Sequence, residues 1–263
     1  QNEEKQLRTP QIVPDSGFIE MLGVTHHNLK ISKVRFRKEA LNIVTGVSGA
    51  GKTSLVYYTF FYNLRKWLSK KQSNQSKAFL FDRCESILGI ENIELVESVD
   101  RSSLGKTSIS MPVTYLGVWG EIRKLYGALP ESQLRGLTSS SFSLRNVEGR
   151  CPECAGKGEI HLPMKFLEDA RVKCSVCGGM RFLDATLEVV YNGLNIAQCL
   201  ALSFEEAVEV FRNHPKIVKP LKLAVSLGLG YLSLGQPTVS LSGGEAQRLK
   251  LVPFLGKTLG RGS

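Results

Sequence analysis

Gly46-Val47-Ser48-Gly49-Ala50-Gly51-Lys52-Thr53 fits the pattern GxxxxGK[ST], and its flanks fit as well. Leu41 to Thr45 reads as a buried strand running into the loop, and Ser54 to Leu68 reads as a helix leaving it. Glycines at 46, 49 and 51 let the backbone turn its N–H groups inward around a phosphate, with the positive end of the helix dipole behind them. In that geometry Lys52 reaches the outer phosphates of a nucleoside triphosphate, the Thr53 hydroxyl takes a place on Mg²⁺, and Ser48 and Ser54 complete the cradle. A chance match in a loop is the competing reading, and the strand–loop–helix setting argues against it.

Composition limits the classes open to the 263-residue chain. Its hydrophobic fraction of 42% suits a globular protein large enough for one or two domains. No apolar run approaches the roughly 20 residues of a membrane span, and no leader segment is visible, so a cytoplasmic setting is expected. Opening on Gln1 rather than Met reads as a fragment or a processed chain. A formal charge of +10 favours a polyanionic partner over a merely solvated basic surface, and residues 101–182 contribute +5 of it. Six cysteines, four of them in two CxxC pairs, suggest a metal site in a reducing compartment rather than a disulfide framework.

Residues 1–19 read as a linker or flexible arm, and 20–101 as an α/β core carrying the P-loop. Leu29, Ile31, Val34 and Phe36 are the apolar positions of a short meander, with His26 and His27 in an ordinary surface turn. The aromatic cluster Tyr57, Tyr58, Phe60, Phe61, Tyr62 and Trp67 reads as core packing rather than a base-stacking platform. Ile93 to Val99 alternates as a strand ending at Asp100-Arg101. A second domain, 102–240, departs from the β/α pattern, with a helix around Val118 to Tyr126. Thr186 to Tyr191 reads as a strand turned by Asn192-Gly193. Ser203 to Glu206 is a capping box opening a helix that ends by His214-Pro215, and Lys216 to Leu227 is a further helix closed by Gly228.

Cys151-Pro152-Glu153-Cys154 and Cys174-Ser175-Val176-Cys177 stand 19 residues apart, close to a paired-CxxC zinc signature, with glycines after each pair to permit tight knuckles. They define a Zn²⁺ module over 150–182. Ile160, Leu162, Met164 and Phe166 alternate along the arm between the pairs. Arg150, Lys157, Arg171, Lys173 and Arg181 would offset the charge of four thiolates on one Zn²⁺, about −2. A purely structural metal remains an open reading, and Cys84 and Cys199 read as incidental buried thiols. At 241–263, Leu241-Ser242-Gly243-Gly244-Glu245-Ala246-Gln247-Arg248 places Ser242 as N-cap and Glu245 at the capping-box position. Donors at Ser242, Gly243 and Gly244 then suit a γ-phosphate presented by another nucleotide-binding surface.

In this order, GVSGAGKTSL, CPECAGKGEI, MKFLED, CSVCGGMRF, LGLGYLSLGQP and LSGGEAQRLKL make the chain similar to the UvrA family, the damage-sensing ATPases of the ABC excinuclease, from about residue 20 onward. The match is to the family's second, C-terminal ATP-binding cassette. The resemblance implies an α/β fold: a P-loop ABC-type ATP-binding core with an inserted signature domain carrying a zinc-bound hairpin module. It also implies ATP-dependent inspection of duplex DNA in nucleotide excision repair, a second cassette of the same parent chain, a homodimer, and a helicase-like repair partner of the UvrB type. Lys106, Arg123, Lys124, Arg135 and Arg145 lie where the resemblance places the duplex.

The departures from the family pattern are specific. Arg101 replaces the family's Gln, Gly105 to Met111 reads GKTSISM where the family has GRTPRSN, and Thr138 to Arg145 reads TSSSFSLR where it has TPGRFSFN. Pro253 should end or kink the signature helix. Nothing resembles the apolar run ending in Asp-Glu that supplies a catalytic carboxylate, so the chain reads as truncated before it, expected to bind ATP poorly and to hydrolyse essentially none. Two rivals stay open: a UvrA paralogue serving resistance or self-protection, and a zinc-dependent interaction module with a vestigial nucleotide site.

Overall fold

The computed structural model describes residues 17–72, 79–100, 102, 104, 105, 107, 109–162 and 170–259. Contacts divide the chain into two units between Ser98 and Val99. No helix among the described residues is long and apolar enough to cross a membrane.

The first unit is built on an antiparallel hairpin. Strand β1 (Phe18–His26) pairs β2 (Leu29–Arg37) along its length, and β3 (Ser86–Leu88) adds to the other side of β1, giving the order β2-β1-β3. Burial along β1 falls on Met21 and then on Val24 and His26, so the alternation changes phase at Gly23, whose φ of +59° only glycine adopts readily. One face of this sheet closes on a helix. Met21, Val24, Leu29, Phe36, Leu55, Leu64 and Ile87 form the core, with the Phe36 and Phe60 rings stacked at 4.6 Å.

The helix leaving the P-loop begins with the wide π winding (Ser54–Phe61) and continues as α1 (Tyr62–Gln72). Thr59 Oγ1 donates to Ser54 O at 2.8 Å, and the Tyr62 N–H reaches Tyr57 O, five residues back. The buried Asn63 then pins the following loop, donating to Asp82 O and accepting the Asp82 N–H at 2.7 Å.

Three expectations for this unit are corrected. Leu41 to Thr45 is irregular rather than a buried strand, with Leu41 88% and Ile43 75% exposed. Ile93 to Val99 is not a strand either. A buried parallel strand exists only through hydrogen-bonded neighbours, and the described residues supply none to either segment. The aromatic cluster is also divided: Phe60 and Trp67 pack on the core, whereas Tyr57, Tyr58 and Tyr62 face solvent.

The second unit is mostly helical: α2 (Pro112–Tyr115), α3 (Val118–Gly127), α4 (Pro130–Leu134), α5 (Asp184–Leu187), α6 (Ile196–Ala201), α7 (Phe204–Val210), α8 (Pro215–Ala224) and α9 (Gly243–Leu259). Two small hairpins interrupt them, β4 (Glu159–Leu162) with β5 (Ala170–Lys173) and β6 (Val190–Tyr191) with β7 (Leu194–Asn195). Trp119, Ile122 and Tyr126 share one face of α3 and meet Phe204, Phe211, Leu221 and Leu249 in a single core. Capping boxes at Asn195 and Ser203 start α6 and α7.

Here too the sequence reading needs revision. Of the strand expected over Thr186 to Tyr191, Val190 and Tyr191 form β6, whereas Thr186 and Leu187 belong to the short helix α5, because the Leu183 N–H bonds Gly149 O and the Thr186 N–H turns back to Leu183 O. The helix from Ser203 runs to Val210 and so ends before His214-Pro215, as expected. The next helix breaks where its end was expected, at Gly228, whose φ of +72° is not helical. Pro253 does not end α9, which runs through it to Leu259.

Candidate functional site

The P-loop lies open to solvent, and its lysine is folded onto the loop itself. Lys52 Nζ donates to Gly46 O at 2.8 Å and to Val47 O at 2.7 Å, and the Leu55 N–H closes the first helical turn on Gly51 O. Gly49 and Gly51, at φ +81° and +84°, turn the chain tightly enough for Ser48 to Ser54 to surround an anion in front of the helix. The histidines expected in a plain surface turn are instead next to this helix. His26 is buried, stacks on His27 at 4.0 Å and meets Tyr58 edge-on, while His27 Nδ1 lies 3.4 Å from Ser54 Oγ. Sequence spacing could not reveal this, since hairpin and helix meet only through the fold.

Cys151, Cys154, Cys174 and Cys177 converge, their four sulfurs lying within 4.8 Å of one another. The Cys151–Cys174 and Cys154–Cys177 sulfur pairs stand 3.9 and 3.7 Å apart. A tetrahedron with metal–sulfur bonds of about 2.3 Å requires sulfur separations of about 3.8 Å. The donor set therefore fits Zn²⁺, held by these four side chains. The knuckles also supply amide donors: the Gly158 N–H points at Cys154 Sγ (3.2 Å), and the amides of Cys177 and Val176 draw the Cys174 thiol down to about 7. Burial pushes Cys177 the other way, to about 12. Packed thiols resist ionising together, and a bound cation removes that resistance. Among the described residues Ile160 is the one partly buried apolar side chain packed against the cluster, so the four sulfurs take the place of an apolar core in this module. Ile160 and Leu162 lie in β4; Met164 and Phe166 lie outside the described residues.

At the signature stretch the expected capping box is present. Ser242 N–H donates to Glu245 Oε2 at 2.7 Å, and Glu245 N–H donates to Ser242 Oγ at 3.3 Å. Tyr231 and Arg248, which the sequence reading did not single out, frame it. Tyr231 Oη donates to Glu245 Oε1, and Arg248 Nη1 donates to Leu227 O and Gly228 O. The Tyr231 hydroxyl, followed by the Ser242 N–H, holds the Glu245 carboxyl below the usual carboxylate range. Ser242, Gly243 and Gly244 are exposed.

One turn further along α9, the buried Lys250 gathers four oxygens: Asp100 O, Asp100 Oδ1, Ser102 O and Ser102 Oγ, at 2.5–3.0 Å. The Lys250 ammonium, with help from Ser102, holds the Asp100 carboxyl near 2. A carboxyl with a lowered folded-state pKa stabilises fully above its unfolded value, about 3.9, and loses that contribution as pH falls through about 2. Lys250→Met protein should therefore lose less stability than wild type on acidification across this window, as read by thermal melts between pH 5 and 2. Parallel curves for the two proteins would show that the contact contributes nothing.

Comparison with known proteins now decides the family. The chain is 40% identical to UvrABC system protein A of Clostridium acetobutylicum over 255 residues, 96% of this chain. It is 39% identical to the Methanothermobacter thermautotrophicus protein of the same name over 93% of this chain. The crystal structure of UvrA2 from Deinococcus radiodurans superposes with a TM-score of 0.76 at 34% identity, covering 97% of this chain and 30% of that one. The chain belongs to the UvrA family. It spans about a quarter of the length of the curated UvrA relatives it matches. No protein-family model matches it.

As a UvrA sequence the chain was expected to offer five cations to DNA, and the fold has already engaged several of them. Arg135 is paired with Glu188 and Glu131, and Lys124 Nζ lies 2.8 Å from Glu121. Arg123 Nη1 donates to Ser139 O at 3.4 Å, and its Nε is buried without a partner. Arg145 is exposed at the edge of the zinc module, its carbonyl accepting from Arg150. Lys106, like the Arg101 substitution, lies outside the described residues.

Proposed function

We propose that this UvrA-family chain is the greater part of one ATP-binding cassette, the second of its parent, which binds ATP and duplex DNA in damage recognition for nucleotide excision repair. The observation that carries this reading is the identity of about 40% to UvrA proteins across 96% of the chain, through the P-loop, the cysteine quartet and the signature alike. Gly46, Ser48, Gly49, Gly51 and Ser54 form the cradle about the phosphates, with Lys52 at the outer two, and Thr53 at the helix start would hold Mg²⁺. Ser242, Gly243 and Gly244 receive the γ-phosphate held by another cassette's P-loop. Glu245, an acidic group beside that phosphate, is drawn aside by Tyr231 and the Ser242 N–H. A homodimer and a UvrB-type partner on cytoplasmic DNA complete the assembly.

DNA contact would be mainly to phosphates, because a protein that senses distortion cannot depend on base edges. Lys106, Arg123, Lys124, Arg135 and Arg145 are the candidates, and those already paired with glutamate must exchange that partner for phosphate. Duplex binding measured by fluorescence anisotropy should weaken steeply with salt, and Lys106→Ala should flatten the log–log slope by about one unit. Binding that is indifferent to salt, or unaffected by neutralising Lys106 and Arg135 together, would remove DNA as the partner. A second reading, a UvrA-type protein outside repair, is favoured by the glutamate pairing of Arg135 and Lys124. It predicts equal affinity for intact and lesion-bearing duplex.

A further inference from the structure

Among the basic residues around the cysteine cluster, one is set apart by the fold. Lys157, Arg171 and Lys173 are exposed, and Arg150 donates to Arg145 O. Arg181 is half-buried and sits at φ +73°, a backbone conformation that arginine rarely adopts. Its carbonyl accepts the N–H of the ligand residue Cys151 at 2.9 Å, which fastens its backbone to the cluster. Its side chain passes Gly158 of the first knuckle, with Nη1 donating to Gly235 O at 3.1 Å and touching Met111 Sδ at 3.7 Å.

Gly235 lies in a turn held by its own amides. Leu234 N–H donates to Leu202 O and Gly235 N–H to Leu200 O at 2.7 Å. Three residues on, Thr238 N–H donates to Ser110 O and opens the short 3₁₀ helix Thr238–Ser240 that leads into Ser242. Arg181 thus joins the metal-binding knuckles to the segment that delivers the signature helix.

We propose that Arg181 is a positioning residue that couples metal occupancy of the four-cysteine site to the order of the turn from Ser233 to Pro237. The proposal rests on reading the four cysteines as a zinc site. A metal on the four sulfurs holds the two knuckles together, and the Cys151 N–H in turn fixes the Arg181 carbonyl, so occupancy of the site sets where the Arg181 side chain begins. When the metal leaves, the Cys151–Arg181 backbone contact loosens, the left-handed backbone at Arg181 relaxes, and Gly235 O loses its donor. Linkage makes the effect reciprocal: removing the arginine weakens metal binding.

The test combines zinc titration with hydrogen exchange on the whole chain, comparing wild type, Arg181→Met and Arg181→Lys. Wild type should bind one Zn²⁺, and chelation should speed exchange at the Leu234, Gly235 and Thr238 amides by roughly 5- to 150-fold, the range of ordinary coupling. Arg181→Met should lower zinc affinity about 10- to 100-fold and make exchange at those amides insensitive to chelation. Arg181→Lys keeps a donor for Gly235 O and should recover most of the affinity. Equal losses in the Met and Lys variants would mean that packing rather than the hydrogen bond to Gly235 O carries the link, and would overturn the proposal. So would a zinc-bound wild type whose turn exchanges at the same rate after chelation. A wild type that binds no zinc would remove the zinc reading as well, which separates the two failures.

Discussion

Protein prepared without chelator is expected to carry about one Zn²⁺ per chain, and its removal should dissolve residues 150–182 while leaving the rest of the second unit folded. The size of the effect follows from what holds the module together. Ile160 is the one apolar neighbour of the four sulfurs among the described residues, whereas Tyr126, Phe204, Leu221 and Leu249 form a separate core. Structural zinc contributes apparent free energies of about 10–16 kcal/mol in small zinc-dependent folds, far more than a four-residue hairpin gains from its own pairing. Cys174→Ser should reproduce the loss. Because the ligands must shed their protons, affinity should also fall with pH. Hydrogen exchange reads this directly: protection across 150–182 should vanish on chelation and persist in α3, α7 and α8. Metal analysis without zinc, or protection unchanged by chelation, would defeat the assignment.

Lys52→Ala is expected to lower affinity for a nucleoside triphosphate by roughly 10- to 150-fold. A hydrogen bond to a charged group contributes about 1.5–3 kcal/mol, and each 1.4 kcal/mol is tenfold in binding. The free protein should tolerate the change, because the hydrogen bonds of Lys52 among the described residues go to the exposed carbonyls of Gly46 and Val47. Those bonds must break when a phosphate arrives, so the lysine exchanges two neutral acceptors for an anionic one. Loss of affinity should be largest for the triphosphate and small for a monophosphate, which lacks the outer phosphates that Lys52 is proposed to meet. Calorimetric titration of wild type and variant with both nucleotides would decide the matter. Equal triphosphate affinities would mean that the loop is vestigial.

The features that the sequence determined by itself are those whose partners lie within a few residues. The Ser242 and Ser203 caps are closed by the carboxylates three residues on, and Asn192-Gly193 makes its hairpin because both residues take left-handed φ values of +50° and +79°. The cysteine quartet was legible for a related reason. Each CxxC knuckle forms locally, and metal chemistry requires the two to meet. The Asp100–Lys250 and Arg181–Gly235 contacts span 150 and 54 residues and leave no periodic trace. The histidine pair beside Ser54 was likewise invisible, since a turn residue reads the same whether or not a helix packs on it. Leu41 to Thr45 shows the limit most clearly. Its composition is that of a buried strand, yet strand backbone is satisfied by neighbours rather than by itself. Apolar sequence set the propensity of that segment, and only the tertiary structure decided whether a partner was there to use it.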